Sequence, residues 1–166
     1  MQKATFGAGC FWYTEEALRK LPGVLSTQVG YMGGTLKNPT YQDVHTGATG
    51  HAQVVQIEYD PFSITYEELL EAFWTIHDPT HLNHQGDFIG TQYRSIIFCH
   101  SIDQKEKALQ SKHELEESGT YKDPIVTEIR PAERFWRAEE RHQRFLAKRA
   151  LYLKTFHDKT QPKEKT

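Results

Sequence analysis

The sequence has few cysteines, no long apolar run and no excess charge of either sign. Cys10 and Cys99 are its only cysteines, too few for a disulfide framework. No stretch of about 18 apolar residues suggests a membrane-spanning helix, and the N-terminus lacks the basic and apolar regions of a signal peptide. With 20 basic and 22 acidic residues, the chain shows no electrostatic footprint for nucleic acid or an anionic membrane. We therefore expect a cytoplasmic protein with reduced thiols, without nucleic-acid or membrane partners.

The 166 residues, 37% of them hydrophobic, suit one globular domain. Strands and helices alternate along the chain, which favours an α/β (α+β) fold. We expect a two-layer ferredoxin-like sandwich with a mixed central sheet and long functional loops. Residues 1–153 would form the single domain, and residues 154–166 a charged, loosely ordered tail. The predicted strands span 2–8, 24–31, 52–59, 94–99 and 124–130, and the predicted helices 10–21, 65–76, 102–118 and 136–153.

Two long polar segments interrupt this pattern, at residues 33–51 and 77–93. Loops beyond about 15 residues are uncommon in compact domains and are usually functional. We therefore expect the functional residues to lie where these two segments approach the rest of the fold.

Cys10 lies at the start of the first predicted helix, directly after a strand and two glycines. Unpaired backbone N–H groups and the positive end of the helix dipole favour a thiolate there. Phe11 and Trp12 follow at once, and two aromatic rings beside a reactive sulfur suggest an apolar pocket for a small group such as a methyl. The alternative interpretation is an inert, buried cysteine with two core aromatics.

The motifs around Cys10 resemble those of the A-type peptide methionine sulfoxide reductases. The similarity covers residues 4 to about 148. The matching motifs are Gly9-Cys10-Phe11-Trp12, Pro22-Gly23-Val24, Gly30-Tyr31, Gly33-Gly34, Asn38-Pro39, Tyr41, Thr49-Gly50-His51-Ala52, Asp60-Pro61, Phe73-Trp74, His77-Asp78-Pro79-Thr80, Gly90-Thr91-Gln92-Tyr93-Arg94-Ser95, Ala138-Glu139 and His142-Gln143.

The resemblance implies stereospecific reduction of methionine-S-sulfoxide, free or in peptides and proteins, as an antioxidant repair reaction. Cys10 would attack the sulfoxide sulfur and become a sulfenic acid. Phe11 and Trp12 would hold the methyl group of the substrate. The phenol groups of Tyr41 and Tyr93 would donate hydrogen bonds to the sulfoxide oxygen.

The sequence departs from the family where the family carries carboxylates. Gln53 stands in place of the glutamate of the Gly-His-Ala-Glu motif, and Phe88 in place of the usual aspartate, with Asp87 beside it. A glutamine donates hydrogen bonds but has no proton to transfer. We therefore interpret Gln53 as an oxygen-binding donor, and the proton as coming from water, Tyr41, Tyr93 or Asp87. The alternative for Asp87 is a solvated loop carboxylate.

A second departure concerns recycling of the cysteine. Many relatives carry resolving cysteines in a C-terminal tail, whereas residues 151–166 contain none. Cys99 lies on an apolar predicted strand and is expected to be buried and inert. An external thiol, either thioredoxin or glutathione with glutaredoxin, would therefore regenerate Cys10. We expect a monomer without a resident cofactor, whose partners are oxidised peptides or proteins and this reductant.

The remaining polar residues suggest weaker hypotheses. His77, His81 and His84 lie near Asp78, but Pro79 interrupts any regular spacing, so we expect no metal site. Arg94 is a candidate partner for Asp78.

Three further residues are expected to support the fold or to line the rim of the site. His51 is interpreted as a structural hydrogen-bonding group. Glu139 and His142 are three residues apart, which would place them on one face of the last predicted helix.

Two other functions remain open at the sequence level. A chain without the usual carboxylates could bind methionine sulfoxide without reducing it. A thiol hydrolase could use Cys10, His51 and Asn38, although the aromatic pair after Cys10 argues against it.

Overall fold

The computed structural model describes residues 1–160, which form eight strands, five α-helices and two short 3₁₀ helices. The strands are β1 (Gln2–Ala8), β2 (Val24–Met32), β3 (Ala52–Tyr59), β4 (His84–Gln85), β5 (Phe88–Ile89), β6 (Ser95–Cys99), β7 (Glu128–Pro131) and β8 (Trp136–Arg137). The helices are α1 (Phe11–Arg19), α2 (Tyr41–His45), α3 (Tyr66–Thr75), α4 (Ile102–Glu117) and α5 (Phe145–Thr160), with 3₁₀ helices at Thr91–Tyr93 and Glu140–His142.

Six strands form one mixed sheet in the order β7-β6-β1-β3-β2-β8, and β4 and β5 form a separate hairpin. Neighbours in the large sheet are antiparallel except β6 and β7, which are parallel. This architecture confirms the expected α/β class. The inner strands and helices follow the sequence β1-α1-β2-β3-α3-β6, which is the element order of a split βαβ unit. The ferredoxin-like assignment stays an interpretation, since β7 and β8 extend the sheet at both edges.

The two faces of the sheet are covered differently. Residues alternate between the faces along β3, so Val55 and Ile57 pack in the main core with α1 and α3, whereas Val54 packs in a smaller cluster on the opposite face. Ala132 and Phe135 pack against this second cluster. By the same alternation Gln53 belongs to the face that carries α1, which is the helix that begins at Cys10.

The prediction of a helix over residues 136–153 is wrong for residues 136–144, because α5 begins only at Phe145. Residues 136–137 pair with the edge of β2 instead. The Gln143 side chain accepts from Val29 N at 2.9 Å and donates to Val29 O at 2.9 Å, as a neighbouring strand would. These tertiary contacts outweigh the local helix propensity. Glu139 and His142 therefore lie before α5, and the prediction that they share a helix face is also wrong.

The final predicted strand is shorter than expected. The pairing of β7 with β6 begins at Glu128 rather than at residue 124. Val126 instead donates its backbone N–H to Pro79 O at 2.9 Å, so this stretch is tied to the second long loop and not to the sheet.

Helix α5 continues past the expected end of the domain at residue 153. Leu151, Tyr152, Leu153 and Phe156 are exposed on it. The expected loosely ordered tail thus begins within a helix, and its residues 161–166 lie outside the described residues. The division of the chain into a domain at 1–153 and a tail at 154–166 stays a prediction. Among the described residues, no helix is both long and apolar enough to cross a membrane.

Candidate active site

Cys10 occupies the N-cap position of α1, at the end of β1. The strand, the glycine at position 9 and the helix place it over the backbone N–H groups of Trp12 and Tyr13, both of which lower the pKa of the thiol. Burial raises the pKa of the thiol, since the residue is only 7% exposed, and this effect is larger than that of the two hydrogen bonds. The net pKa of Cys10 is raised. Desolvation of the sulfur thus opposes the thiolate that the helix start favours.

Gln53 lies beside Cys10 on the same face of the sheet. Its Oε1 accepts a hydrogen bond of 3.1 Å from the backbone N–H of Phe11. Its Nε2 is buried, and no hydrogen-bond partner for it occurs among the described residues. A buried amide donor without a partner costs about 1–3 kcal/mol. The site thus holds a buried amide N–H group whose hydrogen-bonding capacity is unused among the described residues.

Tyr41 and Tyr93 come from the two long loops and meet near Cys10. Burial is the main cause that raises the pKa of Tyr41, the charge of the Cys10 sulfur adds to it, and a hydrogen bond from Tyr93 lowers it. Burial, with smaller effects of Tyr41 and Cys10, raises the pKa of Tyr93 to about 12. Both phenols therefore stay protonated near neutral pH and are hydrogen-bond donors.

Trp12 is held in place on one side of the site. Its indole stacks on Phe145, with ring centroids 3.9 Å apart, and faces Tyr41 at 6.4 Å with the planes 5° apart. Its Nε1 donates to Nδ1 of His142 at 3.0 Å. Burial is the main cause that lowers the pKa of His142, so the neutral ring accepts this bond. Phe11 is fully buried and forms the inner wall.

Glu139 positions the first loop at the site. Its carboxylate accepts from the Tyr31 hydroxyl at 3.0 Å and from the backbone N–H of Tyr41 at 3.1 Å. The second of these bonds fixes the first residue of α2, whose side chain reaches the site. The 3.5 Å ion pair with Arg141 adds a third contact. From the sequence, Glu139 is expected to support the fold or to line the rim, but its partners are not evident because they are about 100 positions away in the chain.

The second loop delivers Phe88 to the other side of the site. Its ring packs against Tyr93 at 5.4 Å and against Tyr13 at 6.0 Å. Five aromatic side chains are thus linked to one another next to Cys10, and we call them the aromatic rim: Trp12, Tyr41, Tyr93, Phe88 and Tyr13. Sequence analysis noted Phe88 only as a departure and missed Tyr13, although Tyr13 continues the run Cys10-Phe11-Trp12.

Asp87 lies in the turn between β4 and β5 and is exposed. This exposure agrees with the alternative interpretation of a solvated carboxylate. The less exposed donors of the site are two phenols and one amide: Tyr93 and Gln53 are buried, and Tyr41 is partly buried.

The contacts of Arg94 decide which carboxylate it pairs with. Arg94 pairs with Glu128, at 3.4 Å, and donates to Gly50 O and Thr91 O, so its expected pairing with Asp78 is wrong. Burial lowers the pKa of this guanidinium, and the negative charge of Glu128 opposes that effect without cancelling it.

The thiol-hydrolase alternative requires His51 as a general base, and the hydrogen bonds of this ring argue against that role. Nδ1 of His51 accepts from Gly34 N at 2.9 Å and Nε2 bonds Leu36 O at 2.8 Å. Both ring nitrogens therefore serve the structure of the first loop, and Asn38 is exposed.

The histidines of the second loop are engaged separately. His77 bonds Phe73 O and Ser95 Oγ, each at 2.7 Å, whereas His81 pairs with Asp78 at 3.2 Å and stacks on His84. Among the side chains described, those of residues 1–156, no group of three or more His, Cys, Asp or Glu is placed to hold a metal ion.

Cys99 lies at the far end of the sheet from Cys10. The register pairs Ala8 with Ser95 and Thr5 with Phe98, so Cys99 lies beside the start of β1. At about 3.3 Å per residue, the two cysteines are separated by about 20 Å along the strand. A disulfide requires Cα atoms within about 7 Å, so these two cysteines do not form one in this fold.

Comparison with known proteins gives a consistent result. A family model described as "Peptide methionine sulfoxide reductase" matches residues 2–166. The peptide methionine sulfoxide reductase MsrA of Methanothermobacter thermautotrophicus is 59% identical over 155 residues, which are 92% of each chain. The crystal structure of Mxr1 from Saccharomyces cerevisiae in reduced form is 37% identical, with a TM-score of 0.84 over 90% of this chain and 86% of that chain. Mxr1 in complex with Trx2 is 30% identical, with a TM-score of 0.62 over 85% of this chain and 83% of that chain.

Proposed function

This chain belongs to the peptide methionine sulfoxide reductase family, and from that premise we propose how its own residues reduce methionine sulfoxide. The substrate is methionine-S-sulfoxide, free or in a polypeptide, and the product is methionine. The observation that carries the proposal is the convergence of one thiol, Cys10, with the unpartnered amide of Gln53 inside an aromatic rim.

The substrate side chain enters the rim with its sulfur toward Cys10. The indole of Trp12 and the inner wall formed by Phe11 take the methyl group by apolar contact. The sulfoxide oxygen points to the other side, where Nε2 of Gln53 and the hydroxyls of Tyr41 and Tyr93 donate to it. These donors stabilise the negative charge that the oxygen gains as the sulfur is attacked.

Reduction begins when the Cys10 sulfur attacks the sulfoxide sulfur. The S–O bond of the substrate breaks and the oxygen is transferred to Cys10, so the methionine sulfur gains two electrons and the cysteine sulfur loses two. Methionine leaves, and Cys10 becomes a sulfenic acid. Because the pKa of Cys10 is raised in the free protein, its thiol proton is available to the sulfoxide oxygen, either through Tyr41 and Tyr93 or through water. Gln53 binds the oxygen and transfers no proton.

Regeneration uses a thiol from another molecule. That thiol attacks the sulfenic sulfur and water leaves, and a second external thiol then cleaves the mixed disulfide. The position of Cys99 at the far end of β1 supports this one-cysteine cycle. The complex of Mxr1 with Trx2 supports thioredoxin as the reductant, with glutathione and glutaredoxin as the alternative. We propose a cytoplasmic monomer without a resident cofactor.

A stereospecific assay tests the proposal. The protein is incubated with dithiothreitol and, separately, with each epimer of N-acetylmethionine sulfoxide, and methionine formation is followed by chromatography. We expect reduction of the S-epimer alone. Saturable binding of the S-epimer without turnover would instead identify a binding protein, which the replacement of both usual carboxylates by Gln53 and Phe88 makes the second candidate.

A further inference from the structure

One part of the aromatic rim is exposed and apolar. Tyr13 is 56% exposed and Phe88 is 40% exposed, although their rings contact each other at 6.0 Å. Phe88 also contacts Tyr93, which is buried beside Cys10. We call the pair Tyr13 and Phe88 the apolar edge. It links the buried ring of Tyr93 to solvent-exposed aromatic surface.

The β4–β5 hairpin holds Phe88 toward the site. Phe88 pairs with Gln85 across the hairpin, and Ile89 pairs with His84. Side chains alternate along a strand, so Gln85 and Phe88 share one face and Ile89 lies on the other. The carbon atoms of the Gln85 side chain pack against Gly9, where a Cβ would come within 2.8 Å of them. The face of the hairpin that carries Gln85 and Phe88 therefore lies on the side of Cys10.

The hairpin is anchored at its base. The Gln85 side chain accepts from Asp78 N and donates to Asp78 O, each at 2.9 Å, and Gly90 donates its backbone N–H to Asn83 O at 2.9 Å. These bonds fix the position of Phe88 before a substrate arrives. A prearranged apolar surface binds without the cost of ordering it.

We propose that the apolar edge selects polypeptide substrates in which a large apolar residue directly neighbours the oxidised methionine. This inference rests on the proposed function, because the methionine sulfoxide must enter the rim to reach Cys10. A polypeptide cannot follow it into the pocket, so the next residue crosses the rim. Charged groups near the rim include Glu139, which pairs with Arg141 and bonds the backbone of Tyr41, and the exposed Asp87, which directly precedes Phe88. An apolar neighbour thus gains contact with Tyr13 and Phe88, and an acidic neighbour is repelled by Asp87.

The selected class of substrate is the interior segment of an unfolded or damaged protein. Methionines that are buried in a native core have apolar neighbours, and oxidation of such a methionine disrupts the core. The apolar edge would direct the reductase to these segments.

A peptide series tests the inference. The reference is a blocked pentapeptide of serine with methionine-S-sulfoxide at its centre, and two others carry phenylalanine directly before or directly after the sulfoxide. We expect kcat/KM of the better phenylalanine peptide to exceed that of the reference by about fivefold, as one aromatic contact provides. Phe88→Ala and Tyr13→Ala should each bring this ratio close to one. Ile89→Ala is the matched control, since Ile89 is 77% exposed in the same hairpin but on the other face, and should keep the ratio.

The controls separate the possible failures. N-acetylmethionine-S-sulfoxide has no neighbouring residues, so failure to reduce it contradicts the proposed function itself. Reduction of this substrate with equal kcat/KM for all peptides overturns only the apolar edge as a substrate-selecting surface. The same conclusion follows if Phe88→Ala keeps the peptide ratio but weakens saturation by thioredoxin relative to dithiothreitol, because the edge would then bind the reductant.

Discussion

Replacing Gln53 by glutamate should raise the rate of sulfoxide reduction. The buried amide donates a hydrogen bond but has no proton to transfer. The Gln53→Glu side chain has the same length, so one oxygen still accepts from Phe11 N, as Oε1 does at 3.1 Å. The other oxygen takes the place of Nε2, which has no partner among the described residues.

Burial determines the protonation of the new carboxyl group. Gln53 is 1% exposed, and such burial raises the pKa of a carboxyl group. The group is then protonated near neutral pH and supplies the proton that the leaving oxygen needs. General acid catalysis contributes about 10²–10⁴-fold, and we expect about 10²-fold in the first step. The gain should disappear as the pH rises above the carboxyl pKa, which adds a falling limb to the pH profile.

Single-turnover kinetics measures this step directly. The reduced protein is mixed with excess S-sulfoxide without a reductant, and methionine is quantified by rapid quench across pH 5 to about 9, a range chosen to include the pKa of a raised carboxyl group. Gln53→Leu is the control, since it removes the donor and should slow the step by about 10²-fold. An unchanged rate and pH profile in Gln53→Glu, or wild-type rates in Gln53→Leu, would show that residue 53 does not bind the sulfoxide oxygen.

Three further outcomes follow from the geometry. Tyr93→Phe and Tyr41→Phe should each slow methionine formation by about 10²-fold, as loss of one oxyanion donor does. Wild-type rates in both variants would show that the phenols do not bind the sulfoxide oxygen. Cys99→Ser should keep its turnover number with dithiothreitol, whereas a Cys10–Cys99 disulfide in the wild type, detected by mass spectrometry, would contradict the one-cysteine cycle. Burial lowers the pKa of His77 from 6.5 to about 4, so the unfolded chain binds a proton there that the folded chain does not, and stability is lost as the pH falls. The free energy of unfolding should fall by about 3 kcal/mol more between pH 6.5 and 4 in the wild type than in His77→Gln, and equal pH dependence in denaturant titrations would refute this.

Local patterns were sufficient to predict β1, α1, β3 and α3, but not α2 or the β4–β5 hairpin, which lie in the two segments expected to be loops. β3 alternates buried residues between two faces, and Thr65 caps the start of α3, with its hydroxyl accepting from Glu68 N at 3.1 Å. The position of Cys10 between β1 and α1 follows from the glycines before it and the periodicity after it. Such signals act within a few residues and can therefore be read from the sequence.

Other features depend on contacts between distant segments. The stretch 136–144 has a helical pattern, but Gln143 and the pairing of Trp136 with Tyr31 attach it to the edge of β2. The raised pKa of Cys10 reflects burial, which no local motif reports. The inward direction of Phe88 depends on the register of a hairpin with two residues in each strand, and a shift of one residue would have turned it to solvent.

The most direct test of the account is to identify the atom that receives the sulfoxide oxygen. The reduced protein is treated with one equivalent of N-acetylmethionine-S-sulfoxide without any thiol, trapped with a sulfenic-acid reagent and mapped by peptide mass spectrometry. We predict one N-acetylmethionine formed per chain, the trap attached to Cys10 alone, and no product in Cys10→Ser. Product formation by Cys10→Ser, or a wild-type reaction that leaves Cys10 unmodified, would contradict the central role of this sulfur.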